Sequence, residues 1–184
     1  MPGIAPHMIV AKLVSEKLNF QEKDIYKGSL LPDILKGKKT KTHYKVQKEY
    51  FEVPDTDYYK ENYDIKNPMN LGYFIHLALD KYYLEDFIPN KIQNYQIFDD
   101  KDLYKDYDYL NEDLVNYFEL EVEKIEKILE YTKEDIDEEK LKKNIRMLKN
   151  KEKGKTKYIN LQDFIEFLKI SSEKITKEIQ NIES

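Results

Sequence analysis

The stretch LGYFIHLALDKYY, residues 71–83, predicts a buried helix that carries one imidazole and one carboxylate. Apolar side chains occupy almost all of its first nine positions, and a helix that is apolar on nearly every side is normally buried. His76 and Asp80 are four residues apart, so they lie on the same face of the helix, one turn from each other. A buried carboxylate is costly unless cations or strong hydrogen-bond donors compensate its charge. The stretch therefore predicts a partner for Asp80 inside the protein.

The composition of the chain indicates one domain with a highly charged surface. Its 184 residues are enough for a single domain with a hydrophobic core. Charged residues make up 36% of the chain, and the net charge of −5 argues against broad, nonspecific nucleic-acid binding. There is no cysteine, which excludes disulfides, thiol catalysis and thiolate ligands. A transition-metal site must then use histidine, aspartate, glutamate or backbone groups.

The sequence shows no sign of a membrane span or a signal peptide. No apolar run reaches about 18 residues, the length that a membrane-spanning helix needs. The N-terminal segment MPGIAPHMIVAKLVSEKL lacks a basic region and becomes polar quickly. We therefore expect a cytoplasmic protein.

Hydrophobic periodicity predicts an all-α fold, a single-domain helical bundle (1–184) with one long irregular loop at about residues 36–66. Residues 1–110 form a metal-site half, and residues 111–184 form the C-terminal helices. The helices predicted in the first half are residues 6–18, residues 22–31 ending before Pro32, and a buried helix that starts at Asn67 and ends near Phe87, before Pro89. The loop has room for a short hairpin around residues 44–53, whereas residues 90–110 are acidic and tyrosine-rich and only weakly favour a helix.

The C-terminal half is predicted to be helical almost throughout. One apolar stripe, with Asn111 as its cap, comprises Leu114, Phe118, Val122, Ile125 and Leu129. A charged helix follows over about residues 133–150, and then a flexible basic connector, KNKEKGKTK, at residues 149–157. The long final helix is marked by Phe164, Leu168, Ile175, Ile179 and Ile182. If the protein is a homodimer, we expect these C-terminal helices to form its interface.

The three histidines of the chain all lie in its first half, together with two carboxylates in apolar surroundings. His7 lies at the start of the first helix, His43 in the loop and His76 in the buried helix. Asp33 follows a proline in LLPDIL, and Asp80 completes the set. Three imidazoles and two carboxylates are sufficient ligands for zinc, manganese or iron. Each residue alone has an ordinary structural explanation, so the metal prediction depends on the whole set and its order.

That order resembles the zinc-dependent phospholipase C family, whose fold is shared with the fungal single-strand nucleases. The shared features are a histidine near the N-terminus, an aspartate after a Gly/Pro-containing turn (GSLLPD, residues 28–33), a histidine shortly after, and the His76-x-x-x-Asp80 pair. The resemblance covers residues 1 to about 90 and is closest to small, non-secreted relatives. It implies a metal-dependent phosphoester hydrolase that binds one or two zinc ions.

The resemblance also assigns roles to the candidate ligands. It implies that Asp33, His43, His76 and Asp80 bind one metal ion. His7 and Asp80 would contribute to a second, with Asp80 bridging the two ions. Asp33 would also be the catalytic group that accepts a proton from a metal-activated water. No histidine follows His76, so the further ligand set of three-metal members is missing here.

A small phosphorylated substrate would meet a lysine-rich loop at such a site. The segment KGKKTKTHYKVQK, residues 36–48, places six lysines around His43. A positive rim attracts phosphate, although an ordinary solvated loop has the same composition. The predicted rim residues are Lys41, Tyr44 and Tyr83.

The sequence leaves two functions open. The first is a hydrolase of phosphodiesters or phosphomonoesters. The second is a catalytically degenerate, metal-stabilised protein that acts as a binding or assembly module through its C-terminal helices, a function favoured by the missing third-metal ligands. An HD-type phosphohydrolase needs adjacent histidine and aspartate residues, and no such dipeptide occurs in the chain.

Overall fold

The computed structural model describes residues 2–94, 100–130 and 135–183, and it shows an all-α protein with one small hairpin, as predicted. The helices are α1 (Ile4–Leu18), α2 (Glu22–Ile34), α3 (Lys39–Thr42), α4 (Thr56–Asn62), α5 (Pro68–Tyr82), α6 (Ile88–Lys91), α7 (Asp100–Tyr117), α8 (Val122–Glu130), α9 (Glu138–Leu148) and α10 (Leu161–Glu183). The strands are β1 (Lys45–Lys48) and β2 (Phe51–Pro54), and a π-helical turn (Tyr83–Phe87) joins α5 to α6. Among the described residues, no helix combines the length and apolarity needed to cross a bilayer.

Helices α2 and α5 form the most extensive contact between described helices, and two glycines make it possible. A Cβ atom at Gly28 of α2 would overlap the carbonyl of Met69, and a Cβ at Gly72 of α5 would overlap the carbonyl of Ile25. The two backbones therefore approach more closely than any larger side chain would allow. This approach brings the backbone of α2 within reach of the His76 side chain.

The start of α5 follows the predicted capping pattern, but its end does not. The side chain of Asn67 accepts hydrogen bonds from the backbone N–H groups of Met69 and Asn70, at 2.9 and 3.2 Å, and Pro68 occupies the first helical position. The predicted end before Pro89 is wrong, since the chain continues through the π-helical turn into α6. Pro89 lies in the first turn of α6, directly after the π-helical turn.

Helix α2 also extends beyond its predicted end at Pro32, because it continues to Ile34. Proline within a helix removes one hydrogen-bond donor. Here Pro32 is buried in the last turn, and the packing of α2 against α1 and α5 outweighs that loss. The GSLLPD segment (28–33) therefore lies in a helix and not in a turn, and Asp33 projects from the last turn of α2.

Residues 36–66 are not one long irregular loop, because they contain α3, the hairpin and α4. The strands of the hairpin are antiparallel, with Lys45 opposite Pro54, which confirms the hairpin predicted around residues 44–53. Helices of four and seven residues are too short to show a hydrophobic period in the sequence. Helix α3 contacts α2, whereas α4 and β2 contact α5, and this arrangement brings His43 to His76 on α5.

The predicted apolar stripe is divided between α7 and α8. The chain turns at residues 118–121, where Glu119 has a φ of 50°. Asn111 lies in the middle of α7 and is not a helix cap. Its side-chain amide instead donates hydrogen bonds to the carbonyls of Leu148 and Asn150, at 3.0 and 2.8 Å.

The rest of the C-terminal half follows the sequence pattern more closely. Helix α7 begins at Asp100, so residues 100–110, where the sequence only weakly favoured a helix, are helical. Residues 95–99 lie outside the described chain. The helix predicted over residues 133–150 is the shorter α9, and residues 131–134 also lie outside the described chain. The long final helix is confirmed as α10.

Candidate metal centre

The five predicted metal ligands converge on one buried position in the first half of the molecule. His7 lies in the first turns of α1, Asp33 in the last turn of α2 and His43 directly after α3, while His76 and Asp80 occupy successive turns of α5. Four of them are at most 2% exposed, and the side chain of Asp33 is 12% exposed. The fold thus brings together all of the ligand residues that the sequence predicted.

The imidazole of His76 is oriented by the backbone of α2. Its Nδ1 lies 2.7 Å from the carbonyl oxygen of Ser29, which can only accept a hydrogen bond, so Nδ1 carries the proton. The other nitrogen, Nε2, faces the carboxylate of Asp80, 3.4 Å from Oδ2, and lies 3.2 Å from Nε2 of His43. A hydrogen bond that fixes one ring nitrogen and leaves the other free is the usual arrangement of a metal-binding histidine.

His43 is oriented in a similar way by the short helix before it. Its Nδ1 lies 3.0 Å from the hydroxyl oxygen of Thr42, and its Nε2 points inward, 3.4 Å from Oδ1 of Asp33 and 3.7 Å from Oδ2 of Asp80. The hydroxyl of Tyr73, on α5, donates a hydrogen bond to the Thr42 carbonyl and so ties the end of α3 to α5.

The spacing of these donor atoms is that of a metal coordination shell. Two ligand atoms about 2.0–2.1 Å from a tetrahedral zinc ion lie roughly 3.3–3.4 Å from each other. The four separations given above among His43, His76, Asp33 and Asp80 range from 3.2 to 3.7 Å. The residues present therefore fit a metal ion in size and in donor chemistry, and the buried His/Asp cluster could hold one.

Asp80 shows the clearest need for a cation. Both of its carboxylate oxygens are buried, and among the described residues neither accepts a hydrogen bond of normal geometry. Oδ1 faces Nε2 of His7 at 3.3 Å, whereas Oδ2 faces His76 and His43. The imidazole of His7 also stacks on that of His76, with 3.7 Å between ring centroids. Because its two oxygens face different histidines, Asp80 can bridge two cations.

The protonation states of His7 and His43 suit metal binding, whereas His76 must release a proton before it can bind a metal ion. Burial lowers the pKa of His7 and of His43, so both imidazoles are neutral near pH 7. Burial also lowers the pKa of His76, but the negative charges of Asp80 and Asp33 outweigh it and leave that pKa raised. Burial alone would raise the pKa of Asp80, but the His76 and His7 imidazoles hold it well below its usual range. Ionised carboxylates and neutral imidazoles are the forms that bind metal ions.

The three residues predicted to form a rim around the site differ in their burial. Tyr83 is fully buried and its hydroxyl is hydrogen-bonded to that of Tyr107, so it is not a rim residue. Tyr44 is partly buried, and its hydroxyl donates a hydrogen bond to that of Tyr63 at 2.7 Å. Lys41 is exposed.

Sequence reasoning missed two groups that act on the ligands. The ammonium of Lys39 lies 3.0 Å from Oδ1 of Asp33, yet nothing distinguishes this lysine from its neighbours in the sequence. The Ser29 carbonyl orients His76, and a backbone group leaves no trace in the residue pattern.

Comparison of the chain with family models, curated proteins and solved structures finds no match. The resemblance in residue order therefore stays a prediction. The chemistry of the centre has to be inferred from its own residues.

Proposed function

We propose that the protein is a metal-dependent phosphoester hydrolase that acts on a phosphodiester or phosphomonoester. The observation that supports this most directly is Asp80, a buried carboxylate that faces three imidazoles and accepts no hydrogen bond from the described residues. Such a group needs a cation. The donor set, which has only nitrogen and oxygen atoms, suits zinc, with manganese or iron as alternatives.

The ligands divide into two groups around the carboxylate of Asp80. His43, His76 and Asp80, whose ligand atoms lie within 4.8 Å of one another, would hold one metal ion, together with Asp33, whose Oδ1 lies 3.4 Å from Nε2 of His43. His7 and Oδ1 of Asp80 would contribute to a second. A metal ion bound there would supply a water that is deprotonated near neutral pH, and a Lewis acid for a phosphoryl oxygen.

Asp33 is the ligand best placed to act on the attacking water, because it is the most exposed of the five. Burial would raise its pKa, but His43, His76 and Lys39 hold that pKa well below its usual range. Asp33 is therefore a weak base that orients the water by accepting its hydrogen bond. In the reaction the water oxygen would join phosphorus, the ester P–O bond would break, and the leaving oxygen would take up the proton that the water loses.

The test is turnover of two generic esters, bis(4-nitrophenyl) phosphate and 4-nitrophenyl phosphate, by protein reconstituted with zinc, manganese or iron. We expect hydrolysis of at least one ester, and we expect His76→Ala and Asp80→Ala to lose bound metal and turnover together. Asp57→Ala is the matched control, because Asp57 is 73% exposed on α4. Hydrolysis that persists in both ligand variants would contradict the proposal.

A second candidate function is favoured by the burial of the site. His7, His43, His76 and Asp80 are at most 2% exposed, which is typical of a metal ion that only stabilises a fold. The protein would then be a degenerate, metal-stabilised binding or assembly module. Bound metal that raises stability, with no turnover of either ester, would support this function over the hydrolase.

A further inference from the structure

The metal centre is closest to solvent at Asp33, and a lysine lies there. The other four ligands are at most 2% exposed, so Asp33 is the ligand that a molecule arriving from solvent would meet first. The side chain of Lys39 is 57% exposed, and its ammonium lies 3.0 Å from Oδ1 of Asp33. The ammonium of Lys39 therefore contacts Asp33, one of the candidate ligands, while more than half of the side chain is exposed to solvent.

The pairing of Lys39 changes if a cation occupies the centre. Oδ1 of Asp33 also lies 3.4 Å from Nε2 of His43, so it is the oxygen of this carboxylate that points at the other ligands. A metal ion bound through that oxygen would neutralise the charge that now pairs with Lys39. One divalent ion would balance the charges of Asp33 and Asp80, so the Lys39 ammonium would be left without a counter-ion, and a tetrahedral oxyanion is a group that could pair with it.

We propose that Lys39 binds the phosphate group of the substrate at the entrance of the metal centre. This inference rests on the proposed function and names the residue that selects for an anionic substrate. Two other lysines of the 36–48 segment pair with different carboxylates. The ammonium of Lys36 lies 2.8 Å from Asp135, and that of Lys48 lies 2.8 Å from Glu85.

Lys36 provides a matched control for this role. Lys36 and Lys39 are lysines of one segment, each is more than half exposed, and each pairs with an aspartate. They differ in that Asp33 belongs to the metal centre and Asp135 does not. A general loss of positive charge would weaken phosphate binding equally in Lys36→Ala and Lys39→Ala. A phosphate-binding role of Lys39 would weaken it only in Lys39→Ala.

The experiment is calorimetric titration of inorganic phosphate into metal-loaded protein, with the metal content of each sample measured first. We expect Lys39→Ala to retain its metal and to bind phosphate about ten- to a hundredfold more weakly, the usual effect of losing one charge-assisted hydrogen bond. Lys39→Arg should retain most of the affinity, and Lys36→Ala should stay within about twofold of the wild type.

Several outcomes would overturn the proposal. These are equal phosphate affinity in Lys39→Ala and the wild type, loss of metal from Lys39→Ala, or a wild-type protein that binds no metal or no phosphate. Phosphate binding that depends on Lys39 in a protein without turnover would instead contradict the hydrolase and leave this role of Lys39 in place. Phosphate affinity and turnover are thus separate measurements.

Discussion

Asp80 of α5 and Asp106 of α7 are both buried aspartates, at 0% and 1% exposure, but their surroundings differ. Oδ1 of Asp106 accepts a hydrogen bond from the backbone N–H of Lys157 at 2.8 Å. Its Oδ2 accepts two more, from Tyr158 at 2.6 Å and Ile159 at 2.9 Å. The oxygens of Asp80 have no such donors among the described residues and face only imidazoles.

The difference shows two ways of keeping a carboxylate inside a protein. Backbone N–H groups satisfy both carboxylate oxygens of Asp106 with hydrogen bonds. The hydrogen bonds also fasten the chain at residues 157–159, the end of the connector, to α7. Asp80 lacks this compensation, and a metal ion would supply it. Burial alone therefore does not distinguish a candidate metal ligand, whereas the absence of backbone donors within the described chain separates Asp80 from Asp106.

The largest effect on stability should come from Asp106→Ala. The change leaves three backbone N–H groups at residues 157–159 without their acceptor. A buried donor that loses its partner costs about 1–3 kcal/mol, and a partly exposed donor costs less. Only the Ile159 hydrogen bond is fully buried, so we expect the free energy of unfolding to fall by roughly 2–4 kcal/mol. Urea denaturation of the metal-free protein measures this loss. In a separate metal-loaded sample, the metal content of Asp106→Ala should equal that of the wild type. A variant that keeps its stability but loses metal would reverse the roles assigned to the two aspartates.

Gly72→Ala should affect both the fold and the metal centre. Its Cβ would overlap the Ile25 carbonyl and push α2 away from α5, which moves the Ser29 carbonyl away from His76. We expect a loss of about 1–3 kcal/mol in the free energy of unfolding, together with weaker metal binding. Gly3→Ala is the control, because a Cβ there meets the Met147 side chain at 3.7 Å, an ordinary contact. Equal effects of the two changes would mean that close packing of α2 on α5 does not support the site.

The smallest effect should come from Thr42→Val, which removes the hydroxyl next to Nδ1 of His43 but keeps the shape of the side chain. Groups that orient a metal-binding histidine contribute about ten- to a hundredfold to metal affinity. We expect the lower end of that range, since the Tyr73 hydrogen bond still holds the Thr42 carbonyl. Competition with a chelating dye measures the affinity, and Thr40→Val, at an exposed position, should leave it unchanged.

The buried His/Asp cluster could be predicted from the sequence because part of it is local. The four-residue spacing of His76 and Asp80 within an apolar run fixes their shared face before any tertiary structure is known. The other three ligands followed from their residue types and order. The donors to Asp106 could not be predicted, because they are backbone groups about fifty residues further along the chain. Lys39 could not be singled out either, since only the course of α3 brings it to Asp33.

The fold shows a similar division. Helices with a regular apolar period, such as α1 and α10, and the Asn67 cap of α5 were predicted correctly. The errors at Pro32 and Pro89 arise because tertiary packing and position within a turn decide whether a helix tolerates proline. The apolar stripe after Asn111 was assigned to one helix because a turn between two helices need not interrupt the hydrophobic period.

Zinc binding by chelator-stripped wild-type protein and by Asp80→Asn tests the central claim most directly. The substitution keeps the shape of the side chain and removes its charge. We predict that the wild type takes up about one to two equivalents of zinc, and that free zinc at about a thousand times its Kd adds roughly 4 kcal/mol to the free energy of unfolding. Asp80→Asn should show neither effect. No uptake by the wild type, or equal uptake by both proteins, would contradict the assignment of Asp80 to a metal centre.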